Sequence, residues 1–351
     1  TYDIHHARYE IYGSAWFSPQ LIFERKNFMK AFIVDCYGKK ELLKAVDVPE
    51  PVLRDDEVLV QVHATGVNLL DVKVRNGEFK LILPYQTPFV LGHDVAGVVV
   101  KVGRRVQMFQ PGDEVYSRPD DHRIGTFAEF VPVKETSLAF KPKNLSMEEA
   151  ASLPLEKAKL QKGQKVFIQA GSGGVGTFAI QLAKHLGATV ATTTSTGNVS
   201  WVKALGADVV VDYKKEDFES VLSNYDVVLN SQDGKTLEKS LNVLKPGGQL
   251  ISISGPPTPE FAEELQLPWV VKQVTRALSF GTRRKAKRLD VDFSFLFMKA
   301  SGSQLQKITA LIESGAIHPV VDKVFPFDAT NEALAYVESG RAKGKVVIKV
   351  R

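Results

Sequence analysis

One stretch limits what this chain can fold into more than any other: "VFIQAGSGGVGTFAIQLAKHLGATVATTTSTGN", residues 166–198. An apolar run leads into glycines at 171, 173 and 176, and Val175, Ala179, Leu182, Ala183 and Leu186 then recur at three- and four-residue steps. That spacing predicts a strand, a tight turn and a helix with one face on a sheet. Gly171 can turn the strand back, Gly173 lets backbone approach an anion, and Gly176 lets the helix pack closely. The first turn of such a helix offers unpaired N–H groups to a pyrophosphate. Gly171, Ser172, Gly173, Gly174, Val175 and Gly176 are therefore the expected dinucleotide loop. The alternative is a strand-to-helix turn with no ligand.

An NAD-selective site places Asp or Glu about 20 residues beyond the first glycine, to accept from the ribose hydroxyls. Here that region reads Ala191, Thr192, Thr193, Thr194, Ser195, Thr196, with Asn198 at the tip and Lys203 further along. No carboxylate stands there to repel a 2′-phosphate, and the hydroxyls of Ser195 and Thr196 can donate to one. NADPH is favoured over NADH, although no cation lies in the turn itself.

The rhythm of the chain changes near Lys165. From Met29 to about Pro142 it runs in short β-type segments cut by turns, such as "EVLVQVHATGVN", "VAGVVVKVG", "GDEVYS" and "GTFAEFVPV". That pattern predicts a partly closed β-body. From Lys165 onward strand-like runs ("KVFIQA", "DVVVDY", "YDVVLN", "QLISISG") alternate with helical ones, which predicts right-handed crossovers and a doubly wound parallel sheet. Ser254 and Gly255 end one of these strands on the side where ligands bind in open parallel sheets. The tail, closing in "GKVVIKVR", mixes both patterns and can return to the first domain.

The 45 basic and 40 acidic residues, net +5, are too evenly mixed to demand a nucleic acid. The single cysteine, Cys36, excludes an internal disulfide and any zinc site that needs two thiolates. A reducing compartment fits, no apolar run reaches membrane length, and residues 1–28 lack the apolar segment of a secretory signal, so the cytoplasm is expected. Residues 1–28 read as an extension or tag ahead of a fresh start at Met29.

In one order along the chain come "GVNLLDVKVRNG", "PFVLGHDVAGVVVKVG", "GDEVYS", "QAGSGGVGTFAIQLAK", "LGADVVVDY", "LKPGGQLISISG" and "GRAKGKVVIKV". Together they resemble the zinc-independent quinone oxidoreductase and alkenal (enone) reductase branch of the medium-chain dehydrogenase/reductase superfamily. The resemblance implies an α/β protein: a GroES-like, mainly β catalytic domain from residues 29–149 and 299–351, and a Rossmann domain at 150–298. The active site is expected in the cleft between them, and a homodimer is expected, paired through the edge near "VDFSFLF". Zinc-dependent members place a cysteine where this chain has Asn68, so His93 in "GHD" lacks a thiolate partner, and no metal site is expected. Relatives usually continue after "ASLPL" through a segment resembling "GLTAWQAL", whereas here Leu155 is followed by Glu156, Lys157 and Ala158. Several quinone reductases also place a lysine where this chain has Asn198, and Tyr213 matches their nearby tyrosine.

Hydride transfer to a quinone or an α,β-unsaturated carbonyl compound needs charge stabilised on the acceptor oxygen, which neutral donors or one ammonium can do. In "NLLDVK", Asn68 is the expected amide donor, Lys73 the expected ammonium, and Asp71 the residue that fixes the loop. Lys73 as a solvated surface lysine is the competing reading. Tyr85 can cover the cleft and offer a phenol, or simply pack on the β-body. No side chain is identified as a general acid. Trp269 and the cluster Arg283, Arg284, Lys285, Lys287 and Arg288 form either a solvated helical face or a contact for an anionic membrane surface. The alternatives to quinone or enone reduction are enoyl-thioester reduction and NADPH binding without catalysis.

Overall fold

The fold is that of a computed structural model, described over residues 27–39, 41–153 and 160–351. The extension expected at 1–28, apart from its last two residues, lies outside the described residues, as do Leu155, Glu156, Lys157 and Ala158.

Six parallel strands form one sheet, in the spatial order Val209–Asp212, Thr189–Thr194, Lys165–Ile168, Tyr225–Asn230, Leu244–Ser252, Asp292–Phe295. The order reverses between Lys165–Ile168 and Tyr225–Asn230, the switch point at which open α/β sheets leave a crevice beyond their carboxyl ends. Both faces are covered. Phe167 packs in a cluster with Leu237, Leu241 and Leu250, while its neighbours Val166 and Ile168 face Ala179, Ile180 and Val202. Side chains alternate along a strand, so a strand buried on both faces must read as a continuous apolar run, and "KVFI" does. Each such side chain contributes roughly 1.5–3 kcal/mol by leaving water.

The helix Gly174–His185 follows the glycine turn and buries Phe178, Ala179, Ile180 and Ala183. It stops where Gly187 takes up the left-handed conformation, φ +80°, that a side chain would resist.

The β-body is organised on Glu57–Val67, which pairs antiparallel with Val95–Val102 and Phe130–Lys134. The last strand, Lys345–Lys349, also lies antiparallel to it, with Val346 opposite Val67 and Lys349 opposite Ala64. Segments from before and after the parallel sheet therefore build this body. Where the sequence pattern suggested only strands and turns, the structure has a helix, Leu69–Arg75. Its start is marked by an N-x-x-D spacing, in which Asp71 reaches back to accept from the Asn68 backbone N–H at 2.7 Å.

Backbone joins the two bodies beside the dinucleotide loop. Gly344 N donates to Ser172 O at 2.9 Å, and Gly173 pairs with Gly344. The Gln181 amide exchanges two 2.9 Å hydrogen bonds with the backbone of His318.

Candidate active site

The three glycines of the loop have different reasons to be glycine. A Cβ on Gly171 would lie 2.3 Å from Thr192 Oγ1, and one on Gly176 would lie 2.3 Å from Ala170 O. The protein's own packing therefore forbids a side chain at both. A Cβ on Gly173 would meet no protein atom nearer than Ala170 O at 3.3 Å. Gly173 caps the helix without a side chain and leaves open space over the first turn, where N–H groups await an anion. The loop fits a dinucleotide pyrophosphate. Ser172 and Gly174 are half-buried beneath the β-body junction, and Val175 packs at the rim of the apolar cluster under the helix.

The turn after Thr189–Thr194 departs from the sequence reading in three places. Thr196 is not a free donor, because its hydroxyl donates to Asp212 Oδ2 at 2.6 Å. Asn198, at the tip and expected to meet the cofactor, is buried with its amide engaged, Nδ2 donating to Ser195 Oγ at 3.1 Å and Oδ1 accepting from Trp201 Nε1. A carboxylate does stand in the turn, brought from the end of the neighbouring strand. The Thr196 hydroxyl, with the Lys214 N–H and Lys215 in support, holds the Asp212 carboxyl below its ordinary range against the effect of burial. Lys215 Nζ, 3.7 Å from Asp212, is the cation that the sequence did not place there. Tyr213 is exposed beside it, and the Ser195 hydroxyl, accepting from Asn198, keeps its hydrogen for an outside partner.

Beneath the switch point lies a polar floor. Asn230 Nδ2 donates to Gln169 Oε1 at 2.7 Å, Ser252 Oγ donates to Asn230 Oδ1 at 2.9 Å, and the Gln169 amide reaches Ser240. Ser254 Oγ donates to Gln232 O and Gly255 N to Ser252 Oγ, so the predicted pair closes the floor. A signal for the floor stood in the sequence: each apolar run ends in one polar residue, Gln169, Asn230 or Ser252, at its carboxyl end.

Across the cleft Asn68 is held from both sides. Its Nδ2 donates to Asp94 Oδ2 at 2.8 Å, and its Oδ1 accepts from Lys345 Nζ at 2.6 Å. Lys345 also donates to Asp94 Oδ2 at 3.0 Å. Behind them Asp71, fully buried, accepts from Asn68 N and meets His93 Nδ1 at 2.6 Å. An aspartate carboxylate only accepts, so His93 Nδ1 carries the proton of this contact, and Nε2 is buried with no hydrogen-bond partner among the described residues.

Two family descriptions match the chain: "Alcohol dehydrogenase GroES-like domain" over residues 54–143 and "Zinc-binding dehydrogenase" over residues 205–348. A 2-methylene-furan-3-one reductase of Solanum lycopersicum is 38% identical, over 91% of this chain and 79% of its own. A chloroplastic NADPH-dependent alkenal/one oxidoreductase of Arabidopsis thaliana is 35% identical over the same shares. A quinone oxidoreductase from Coxiella burnetii superposes with a TM-score of 0.81 at 30% identity, covering 93% of this chain and all of that one. The chain belongs to the zinc-independent quinone and enone reductase branch of the medium-chain dehydrogenase/reductase superfamily.

The donor chemistry here suits that branch of the superfamily and not a zinc dehydrogenase. Cys36 is exposed and supplies no thiolate to the cleft, and the Lys345 ammonium already sits on the Asn68 and Asp94 oxygens that a cation would need. Lys73 is half-buried, and as a neighbour of Asp71 by two residues it leaves the helix on the opposite side, about 200° around the axis. The ammonium that touches Asn68 is that of Lys345, 277 positions away in the chain. Tyr85 donates its hydroxyl hydrogen to Asp121 O at 2.6 Å and packs on Phe89 with ring centroids 5.0 Å apart. Burial, and then Asp121, push its phenol far above the ordinary range, so the structure uses Tyr85 as packing with its proton already placed.

Proposed function

We propose that the protein transfers hydride from NADPH to a quinone or an α,β-unsaturated carbonyl compound, without a metal ion. The observation that carries this reading is that one side chain, Lys345, spans from the dinucleotide loop at Gly174 to the fixed amide of Asn68. Bound NADPH supplies the hydride. The glycine loop holds its pyrophosphate, and the polar floor around Asn230 and Ser252 holds the carboxyl ends of the strands rigid beneath it. Asn68 has one N–H left to donate to the acceptor oxygen, where conjugation delivers the incoming electrons. The relatives' names, which specify a methylene-furanone, alkenals and enones, and a quinone, support the same acceptor class. Mixing protein and NADPH with 9,10-phenanthrenequinone, a short enone or an enoyl-CoA tests the reading, with NADPH oxidation expected for one of the first two. Turnover of enoyl-CoA alone favours the thioester reading, and tight NADPH binding without any turnover favours a non-catalytic one.

The preference for NADPH over NADH rests on the Ser195 hydroxyl, on Lys215, and on the commitment of Asp212 to Thr196 and Lys214. Ser195→Asp should raise the Kd for NADPH about 10-fold or more while NADH holds or improves. Equal losses for both nucleotides would place the 2′-phosphate elsewhere.

A homodimer fits the sheet, because among the described residues Asp292–Phe295 is its edge strand with a neighbour on one side only. The helix Trp269–Leu278 is turned inside out: Thr275 and Ser279, just beyond it, are buried, while Trp269 and Val270 are 72% and 64% exposed. The basic helix Phe280–Arg288 follows it, a combination suited to an anionic bilayer. Light scattering checks the first assignment, and flotation with phosphatidylserine vesicles the second.

A further inference from the structure

Lys345 opens the last strand, and its side chain crosses onto the dinucleotide loop. A Cβ on Gly174 would stand 2.7 Å from Lys345 Cδ, so the lysine stem lies directly on the first turn of the helix. The side chains of Lys345 and Asp94 are each only 8% exposed. Withdrawing an ammonium from water is costly unless a carboxylate and further acceptors replace its hydration, and Asp94 and Asn68 do so here. The residue before it is tied to the same loop, through the hydrogen bond of Gly344 N to Ser172 O.

The consequence for Asn68 is an amide that cannot turn over. An ammonium only donates and a carboxylate only accepts, so Oδ1 must face Lys345 and Nδ2 must face Asp94. We propose that Lys345 is the positioning residue of this site: with Asp94 it fixes the Asn68 amide so that its remaining N–H faces the acceptor, and it couples that orientation to the nucleotide loop. Lys345 thus holds the place of the buried cation for which the zinc-type donor set is missing. The kinetic part of the test rests on the hydride-transfer reading above.

In that part, Lys345→Met and Asn68→Ala are each expected to lower kcat about 10-fold or more, with NADPH affinity within about threefold of wild type. The variant carrying both should be no slower than the worse of the two, since the lysine acts through the amide. Losses that multiply, or a wild-type kcat in Lys345→Met, would overturn the proposal. The second part needs no turnover. In protein labelled with 15N-asparagine, the Asn68 side-chain signals, identified by their loss in Asn68→Ala, should shift when NADP+ binds to wild type and fail to respond in Lys345→Met. An unchanged response in Lys345→Met would also overturn it. Lys345→Met with Asp94→Asn removes both charges together and should keep the fold while showing the same two defects. Wild type that turns over neither quinone nor enone would sink the hydride-transfer reading and leave the amide signals to decide.

Discussion

Gly173→Ala should abolish tight dinucleotide binding while leaving the fold standing. The backbone of Gly173, at φ −85° and ψ 169°, is one that alanine adopts freely, and its Cβ would meet only Ala170 O at 3.3 Å. The stability cost is therefore expected to stay near or below about 1 kcal/mol, part of it the poorer helix cap. The methyl group would fill the space over the first turn that a phosphate must enter, and the Kd for NADPH should rise about 100-fold, roughly 2.7 kcal/mol. Gly176→Ala should behave in the opposite way. Its Cβ would press on Ala170 O at 2.3 Å and on Gly171 Cα at 2.8 Å, backbone against backbone, with no flexible side chain to yield. A destabilisation of about 2–4 kcal/mol is expected. Calorimetric titration and thermal melts of the two variants separate the cases, and an unaltered NADPH affinity in Gly173→Ala would show that the phosphates bind elsewhere.

The second large effect is expected at Asp94. Asp94→Ala strips the Lys345 ammonium of its only carboxylate among the described residues while Asn68 and the strand hold it in place. An uncompensated buried charge of this kind costs about 3–5 kcal/mol, a large share of the roughly 5–15 kcal/mol by which domains are stable. Asp94→Asn together with Lys345→Met should cost much less, since the pair is then removed as a unit. Urea denaturation reads both values. A cost for Asp94→Ala below about 1 kcal/mol would mean that the ammonium swings out to water.

The parts of this site that could be read in the sequence are those whose physics is local. The glycine turn, the helix behind it and the apolar strands are set by neighbours within a few positions, and Asn68 is marked by a motif that includes its own capping partner, Asp71. What the sequence hid depends on strands meeting in space. Thr196 lies 16 positions from the carboxylate that takes its hydroxyl. Lys73 was the nearest cation to Asn68 along the chain, yet helical geometry turns it away, and the cation in contact arrives on the last strand. Tyr85 carried no local sign that a backbone carbonyl, Asp121 O, would claim its hydroxyl.

That last strand also sets an order of events during synthesis. Glu57–Val67 leaves the ribosome long before its partner Lys345–Lys349 is made. The parallel sheet needs nothing beyond Phe295 and can assemble while translation continues. The β-body, although begun first, waits with this edge of Glu57–Val67 unpaired until Lys345–Lys349 emerges. Maturation of the cleft is thus a late step: the same short segment zips the open edge shut and delivers the ammonium to Asn68, so a chain stalled before Lys345 would hold a formed nucleotide loop facing an unfinished acceptor site.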